Sequence, residues 1–379
     1  MGQTDHFVIV SETYPPEVNG VALTVQSLEL GLRELGHRVE LIRPSQATAA
    51  PLAADHLLVR GMGLPRYPGL RFGLPSGRML RQRWQQQRPS AIYVATEGPL
   101  GWSAVRAANR LGIPVATGFH TRFDDYVERY GAAWLRPTVF RWMRHFHNRG
   151  HATLVPTIEL AEFLQNSGFR HPRLLRRAVD TRLFNPNKRS RDLRRQWGVG
   201  DDAAALIYVG RIAAEKNLPL AVRAFRELQR EQPDARFIWV GDGPARAALA
   251  AANPDFVFCG VQRGESLAAH FASGDLFVFP SLTETFGNVT LEAMASGIAT
   301  VAYRYGAARE HLLDGVHGAA IRNGDEAAFV AAVCDLAKSP SNCLHQGNAA
   351  RAAIEHLSPH SVAEHFAELL QSLPGRSLT

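Results

Sequence analysis

The fold is decided by residues 277–297, which read FVFPSLTETFGNVTLEAMASG. The apolar run at the start of this segment predicts a strand that ends at Ser281. A loop then carries Glu284, and a helix is predicted to begin near Gly287 and to end at Gly297. A strand that leads through a short loop into a helix is the repeating unit of a parallel α/β sheet.

The same rhythm continues on both sides of this segment. In the second half, short apolar runs predict strands at 204–210, 235–241, 256–260 and 298–303. In the first half they predict strands at 6–10, 37–44, 91–95, 113–120 and 152–157, with a helix from Val21 to Leu35. The fold class is therefore α/β, with two doubly wound, Rossmann-like domains in tandem.

Length and composition fit two such domains. The chain has 379 residues, of which 46% are hydrophobic and 20% charged, so disorder as the main state is excluded. Three cysteines without CxxC spacing exclude a disulfide framework and a zinc signature. No apolar run approaches the roughly 18 residues of a spanning helix, and no signal-peptide core is visible. We expect a cytoplasmic protein, or one on a membrane surface.

The charge is unevenly distributed. Residues 1–188 hold 24 Lys and Arg against 14 Asp and Glu, whereas residues 189–379 hold 18 against 21. The resulting net charges of +10 and −3 predict that the first half meets something anionic.

Several familiar nucleotide and hydrolase motifs are absent from the sequence. The first strand is not followed by GxGxxG, and no DxD, GxSxG or HExxH occurs. Residues 210–217 resemble a P-loop loosely, but Glu215 and Asn217 stand where glycine and Ser/Thr belong.

The predicted helix start at Gly287, Asn288 and Val289 would present free backbone N–H groups, which suit a diphosphate. Glu284 and Glu292 flank this start and could address opposite ends of a ligand. The alternative is that acidic residues near a helix N-terminus only complement the helix dipole.

Cations follow another predicted strand. Arg211 and Lys216 come after Gly210 and could clamp a diphosphate, although solvated loop cations would look the same. In the first half, His120 follows a strand that ends at Gly118. A lone histidine is often structural, but its place after a strand favours a function. Gly20, just ahead of a helix, allows a close backbone approach or is a generic turn residue.

Taken together, these segments resemble the retaining glycosyltransferases of family 4, which have the two-domain GT-B fold. The resemblance rests on PPEVNG, GFHTRF, VDTRLFNP, VGRIAAEKNL, VGDGP, FPSLTETFGNVTLEAMASG and GVHG, and so covers nearly the whole chain. GFHTRFDDYVERYG and PRYPGLRFGLP are most similar to the diacylglycerol glycosyltransferase and GDP-mannose-dependent mannosyltransferase branch.

The resemblance implies two Rossmann-like domains that face each other across a cleft. The acceptor-side domain would span 1–185 and the nucleotide-sugar domain 186–358, with a boundary in the polar segment 180–192. Residues 359–379 would form a C-terminal helix that crosses back to the first domain.

The resemblance also implies roles for individual residues. Arg211 and Lys216 would hold the donor diphosphate, helped by the backbone at Gly20. Glu284 would bind the hydroxyls of the donor sugar, and Glu292 those of the ribose. His120 would contact the sugar and polarise the reaction centre. The remaining donor-binding positions are Val261, whose backbone would meet the base, and Phe286, Gly287, Asn288 and Val289.

The implied reaction needs no metal and no cofactor, since the departing diphosphate takes the proton of the acceptor. The sequence departs from the family pattern at RAVD (177–180) and GAARE (306–310), where NGVD and GGPxE are usual. Both departures lie in scaffold or hinge regions.

We therefore expect a hexosyltransferase that uses GDP-mannose or a UDP-sugar and a lipid acceptor such as diacylglycerol or a glycolipid. The alternative acceptor is soluble or a polysaccharide. Three other classes are less favoured. A pyridoxal-phosphate phosphorylase needs a cleft lysine for its Schiff base, and a nucleic-acid binder lacks any recognised motif. A sugar-nucleotide epimerase would not explain the paired glutamates.

Two basic amphipathic stretches, 60–88 and 134–151, suggest a surface that lies on anionic lipid at the inner membrane face. In both, arginines alternate with apolar and aromatic residues. The alternative is that the apolar faces pack on the sheet while the arginines are merely solvated.

Overall fold

The computed structural model describes residues 4–17, 19–45, 55–63, 71–120, 134, 136–200, 203–281 and 286–374. The chain divides into two compact units, one formed by Met1–Ala178 with Pro359–Thr379 and the other by Val179–Ser358. The division therefore falls after Ala178, whereas the sequence suggested residue 185. Val179 and Phe184 belong to the second unit because their side chains are buried in its core.

The first unit contains a seven-stranded parallel sheet in the order β3-β2-β1-β6-β7-β8-β9. The order reverses between β1 and β6, which makes that position the topological switch point of the sheet. The strands are β1 (His6–Val10), β2 (Arg38–Pro44), β3 (His56–Val59), β6 (Ala91–Val94), β7 (Val115–Gly118), β8 (Ala152–Val155) and β9 (Pro172–Leu174). A separate antiparallel pair is formed by β4 (Gly61–Gly63) and β5 (Arg71–Gly73).

Two helices of the first unit begin at residues whose side chains cap them. The Asn19 side chain accepts a hydrogen bond from the backbone N–H of Ala22 at 2.9 Å, and Thr157 caps a later helix in the same way. The helices of this unit are α1 (Gly20–Glu34), α2 (Gly77–Gln86), α3 (Pro99–Leu111), α4 (Arg136–His147) and α5 (Ile158–Asn166).

The second unit contains a six-stranded parallel sheet in the order β12-β11-β10-β13-β14-β15. Its switch point lies between β10 and β13. The strands are β10 (Ala205–Val209), β11 (Arg236–Val240), β12 (Val257–Gly260), β13 (Leu276–Phe279), β14 (Ala299–Tyr303) and β15 (Gly318–Ile321). The helices are α6 (Arg191–Gln196), α7 (Leu218–Glu231), α8 (Arg246–Ala252), α9 (Gly264–Ser273), α10 (Asn288–Ala295), α11 (Ala307–His311), α12 (Glu326–Ala337) and α13 (Pro340–Ile354).

The last helix, α14 (Pro359–Gln371), belongs to the first unit although it follows the second in the chain. Val362, Phe366 and Leu370 are buried in the core of the first unit, and the helix packs along α1. Because these residues recur every four positions, one face of the helix is buried.

The doubly wound α/β class predicted from the sequence is confirmed by both sheets. The structure adds strands that the pattern did not predict, namely β3, β9, β15 and the pair β4 and β5. β9 has only three residues, and β15 reads GAAI, so neither forms an apolar run long enough to stand out.

The packing of α14 on α1 depends on Gly31. A Cβ atom at this position would stand 2.4 Å from the Cβ of Ala363, which cannot rotate away. We expect Gly31→Ala to lower the free energy of unfolding by about 1–3 kcal/mol through overpacking, despite the better helix propensity of alanine. Gly77→Ala is the control, since its Cβ meets only ordinary contacts at 3.9 Å. Urea unfolding of both variants measures the effect, and equal midpoints would refute the packing argument.

Candidate functional site

In the second unit the predicted donor residues gather at the switch point. β10 and β13 are neighbouring parallel strands, so the loops that follow them leave the same edge of the sheet. Arg211 and Lys216 follow β10, and Phe286 to Glu292 follow β13. Val261, which is 58% exposed, follows β12, the outermost strand of this sheet. It therefore also lies at the carboxyl ends of the strands. Glu284 lies outside the described residues.

The N-terminus of α10 has the features of an anion-binding site. Gly287 is the N-cap residue and has the left-handed conformation (φ 86°), and among the described residues no side chain caps the first turn. Among the described residues, nothing accepts a hydrogen bond from the N–H groups of Gly287, Asn288 or Val289. Because these groups carry the positive end of the helix dipole, they favour a bound anion.

The residue before this helix start is held firmly. Phe286 is only 4% exposed, and its carbonyl oxygen accepts a hydrogen bond from the N–H of Ala307 at 2.6 Å. Ala307 belongs to GAARE, one of the two departures from the family pattern. The glycine of that motif, Gly306, permits the contact, since a Cβ there would stand 2.4 Å from the Phe286 oxygen.

Glu292 lies in the second turn of α10 and is partly buried. Within the described part of the chain its carboxylate has no hydrogen bond and no ion pair. Loss of hydration raises its pKa to about 7. An unpaired carboxylate of this kind is suited to accept hydrogen bonds from ligand hydroxyl groups.

The two cations of this site differ in exposure. The Arg211 side chain is 60% exposed and lies 3.5 Å from the Glu215 carboxylate, a weak surface contact. The Tyr208 hydroxyl donates to the Arg211 carbonyl at 3.0 Å and so fixes the backbone of the loop. Lys216 is half-buried and ends a short 3₁₀ turn, Ala214–Lys216.

In the first unit, His120 and Gly20 are joined by one chain of hydrogen bonds. Arg177 donates from Nη2 to Nδ1 of His120 at 2.8 Å and from Nη1 to the Thr24 hydroxyl at 2.5 Å. Thr24 in turn donates to the Gly20 carbonyl at 2.7 Å. No described residue comes within 4 Å of a Cβ built at Gly20, so a ligand has room to approach.

The His120 ring is enclosed. It is 8% exposed, and its Nε2 lies 2.6 Å from the Tyr93 hydroxyl. Burial, together with the charge of Arg177 and a smaller effect of His147, holds the pKa of His120 well below its usual range. The lowered pKa favours the neutral form of the ring.

Sequence reasoning singled out His120 and Gly20 but missed Arg177, Tyr93 and Thr24 as their partners. Arg177 was visible only as the first residue of the RAVD departure. Tyr93 lies inside a buried strand, where an aromatic residue needs no special explanation.

The described residues contain no group of three His, Cys, Asp or Glu that could hold a metal ion. They also contain no helix that is long and apolar enough to cross a membrane.

Comparison with known proteins agrees with this architecture. The model for Glycosyltransferase Family 4 matches residues 18–183, and that for Glycosyl transferases group 1 matches residues 203–339. A GDP-mannose-dependent alpha-mannosyltransferase of Mycolicibacterium smegmatis is 35% identical over 86% of this chain and 88% of its own. The chain therefore belongs to glycosyltransferase family 4, and it is a nucleotide-sugar-dependent hexosyltransferase.

Further matches extend the comparison. An alpha-monoglucosyldiacylglycerol synthase of Streptococcus pneumoniae is 24% identical over 78% of this chain and 70% of its own. The crystal structure of Anabaena Alr3699/HepE in complex with UDP superposes with a TM-score of 0.77 at 18% identity, covering 97% of this chain and all of the other. The GT-B fold expected from the sequence is thereby confirmed.

The raised pKa of Glu292 predicts a pH effect on stability. The folded protein holds this proton up to about pH 7, whereas the unfolded chain releases it near 4.5, so ionisation destabilises the fold as the pH rises between these values. We expect Glu292→Gln to gain stability over the wild type from pH 5 to pH 8, as measured by urea unfolding. Glu265→Gln, at a side chain 72% exposed, is the control. A pH-independent difference would contradict the assignment.

The loop after β10 supplies a second prediction. Lys216→Ala should lower the transfer rate by roughly 30- to 1000-fold, as for a lost oxyanion donor worth about 2–4 kcal/mol. Lys188→Ala is the matched control, because the Lys188 side chain forms a surface ion pair with Glu265 and no other ion pair with a described residue. Steady-state kinetics with the donor compare the two variants. Equal, small losses would remove Lys216 from the diphosphate site.

Proposed function

We propose that this protein is a retaining transferase that moves a hexose from GDP-mannose or a UDP-sugar to a lipid acceptor, such as diacylglycerol or a glycolipid, at a membrane surface. One observation carries the donor half of this proposal. The uncapped start of α10 and the cationic loop after β10 lie at the same switch point of the second sheet.

This arrangement fits a nucleoside diphosphate. The free N–H groups of Gly287 to Val289, with Arg211 and Lys216, match the negative charge of the two phosphates. Glu292 has no partner of its own among the described residues, and we assign it to the ribose hydroxyls. Glu284 keeps its proposed role at the sugar hydroxyls, and the backbone at Val261 its proposed place at the base.

The proposed reaction proceeds with retention and without a metal ion or cofactor. The bond between the anomeric carbon and the diphosphate oxygen breaks, and the acceptor oxygen bonds to that carbon on the same face. The proton of the acceptor passes to the departing diphosphate. The protein positions the reactants and stabilises the charge that develops on the leaving group. His120 contributes a polar contact to the sugar, in keeping with its lowered pKa.

A lipid acceptor is supported by the name of the diacylglycerol-directed relative and by the basic first half of the chain. The surface that we propose for lipid binding is smaller than the two basic stretches suggested by the sequence. In α2, Leu80 and Trp84 are buried in the core, so they pack on the sheet rather than face lipid. Arg83 is paired with Glu40. Part of the 60–88 stretch lies outside the described residues.

The second stretch presents a more suitable surface. Trp134 is 78% exposed, and Trp142, in α4, is 41% exposed. Trp142 packs on Trp102 with 4.9 Å between ring centroids, and the guanidinium groups of Arg106 and Arg149 lie over the Trp102 ring at 5.9 and 5.2 Å. Arg141 and His145, in the same helix as Trp142, are also exposed. Aromatic side chains among cations are typical of a surface that binds anionic lipid.

A donor and acceptor panel tests the function. The protein is incubated with GDP-mannose, UDP-glucose or UDP-galactose, and with diacylglycerol in phosphatidylglycerol vesicles or a soluble oligosaccharide. We expect one donor to yield a glycosylated lipid, identified by mass, with the donor's anomeric configuration and with undiminished yield in a chelator. Transfer to the oligosaccharide alone would establish the soluble-acceptor alternative and contradict our proposal.

A vesicle-binding assay tests whether the surface that contains Trp134 and Trp142 binds lipid. Sedimentation with phosphatidylglycerol vesicles should show binding at low salt that weakens at high salt, because screening reduces the attraction. Replacing both Trp134 and Trp142 by alanine should reduce binding. Leu344→Ala removes a side chain 63% exposed in the second unit and serves as control. Unchanged binding of the tryptophan variant would reject this surface.

A further inference from the structure

Arg177 and His120 form a buried pair whose partners are set by the chemistry of the guanidinium group. Arg177 is 7% exposed and has only N–H donors to offer. Nδ1 of His120, 2.8 Å away, must therefore be the acceptor and carry no proton. In a neutral ring the proton then resides on Nε2, which donates to the Tyr93 oxygen at 2.6 Å.

The opposite tautomer is excluded by the same contacts. If the Tyr93 hydroxyl donated to Nε2, the ring proton would stand on Nδ1 and point at the guanidinium N–H of Arg177. A doubly protonated ring would place the same proton there and add a second positive charge beside Arg177. Burial lowers the pKa of Arg177 to about 10, so the guanidinium stays charged at neutral pH.

Packing leaves the ring little freedom to escape this arrangement. A Cβ at Gly118 would stand 2.2 Å from the Tyr93 oxygen and 2.6 Å from Nε2 of His120, so a larger residue would break the contact. Phe366 of α14 packs edge-on against the Tyr93 ring, with 5.0 Å between ring centroids. Tyr93 is fully buried.

The other titratable groups near the pair do not replace Arg177. His147, from α4, is fully buried and accounts for a smaller part of the lowered pKa of His120. Its Nε2 lies 3.1 Å from the Glu97 carboxylate, and its Nδ1 lies 2.8 Å from the Thr117 hydroxyl. In the described part of the chain, no carboxylate forms a hydrogen bond with His120.

We propose that Arg177 is a positioning residue that holds His120 as the neutral tautomer with its proton on Nε2, so that His120 can offer substrate an N–H donor but no proton for transfer. This inference rests on the proposed function, in which His120 contacts the donor sugar. The Nε2–H donates to the Tyr93 oxygen in this structure, and an oxygen of the sugar recognises the same N–H by sharing that hydrogen bond with Tyr93, while the departing diphosphate serves as the base. The Thr24 hydroxyl holds the other arm of Arg177 and links it to the Gly20 carbonyl.

NMR spectroscopy of ¹⁵N-labelled histidine tests directly which ring nitrogen of His120 is protonated. The intact protein is labelled with ¹⁵N-histidine, and the His120 signals are assigned by their loss in His120→Gln. In the wild type we expect long-range ¹H–¹⁵N spectra to show an unprotonated Nδ1 and a protonated Nε2 from pH 5.5 to pH 8. A protonated Nδ1 in the wild type would overturn the proposal, whether or not any variant folds.

Variants at position 177 separate positioning from mere packing. Arg177→Met should shift His120 toward a tautomer mixture and let it protonate at a higher pH, whereas Arg177→Lys, which keeps a charged donor, should restore much of the wild-type spectrum. Arg176→Met, one residue earlier and only partly buried, is the control. A His120 spectrum unchanged in Arg177→Met would also overturn the proposal.

Kinetics distinguish this inference from the proposed function. We expect Arg177→Met to lower kcat at least tenfold and to alter its pH profile, with little change in nucleoside diphosphate binding. If the spectra change as predicted but kcat does not, the tautomer assignment stands and the role of His120 at the sugar fails. If kcat falls without a change in the spectra, Arg177 acts by another route and the inference fails.

Discussion

Reversal of strand order within a parallel sheet is the constraint on which the rest of this structure depends. All strands of each main sheet point the same way, so their carboxyl ends lie at one edge. At the reversal, the chains leaving two adjacent strands diverge and open a crevice that side chains and backbone can line. The first sheet reverses at β1 and β6, and the second at β10 and β13. The segments PPEVNG and FGNVTLE each follow one of these strands.

The two units meet their electrostatic requirements in different ways. The second unit leaves a helix end uncapped at Gly287 and places Arg211 and Lys216 after the adjacent strand. It thus offers positive charge and open N–H groups where a diphosphate is proposed to bind. The first unit instead buries the Arg177 guanidinium beside an imidazole, and no described residue forms an ion pair with it. Burying a charged guanidinium costs free energy, and packing alone does not explain why the charge is placed there.

A neutral histidine is consistent with chemistry in which the leaving group accepts the proton. An enzyme that needed His120 as a base would keep its pKa near the working pH, usually with a neighbouring carboxylate. Here burial and Arg177 drive the pKa in the opposite direction. The carboxylate whose pKa is about 7, that of Glu292, lies in the other unit and is proposed to bind the ribose.

The sequence by itself determined the α/β class, the start of α1 to within one residue and most of the strands, because apolar runs act over a few neighbouring positions. It also determined the family and the segments that carry the candidate site. It did not reveal β9 or β15, which are short strands at the edges of their sheets. The sequence also could not tell that α2 buries its tryptophan whereas α4 leaves Trp142 exposed, since both helices alternate arginine with apolar residues.

Only the tertiary structure decided which of the basic amphipathic helices buries its tryptophan and what His120 touches. Trp84 is buried while Trp142 is exposed, although both stand in basic amphipathic helices. Arg177 lies 57 residues from His120, and Tyr93 lies 27 residues from it. Contacts between residues so far apart in the chain depend on how the strands are ordered in the sheet. A local sequence pattern does not determine that order.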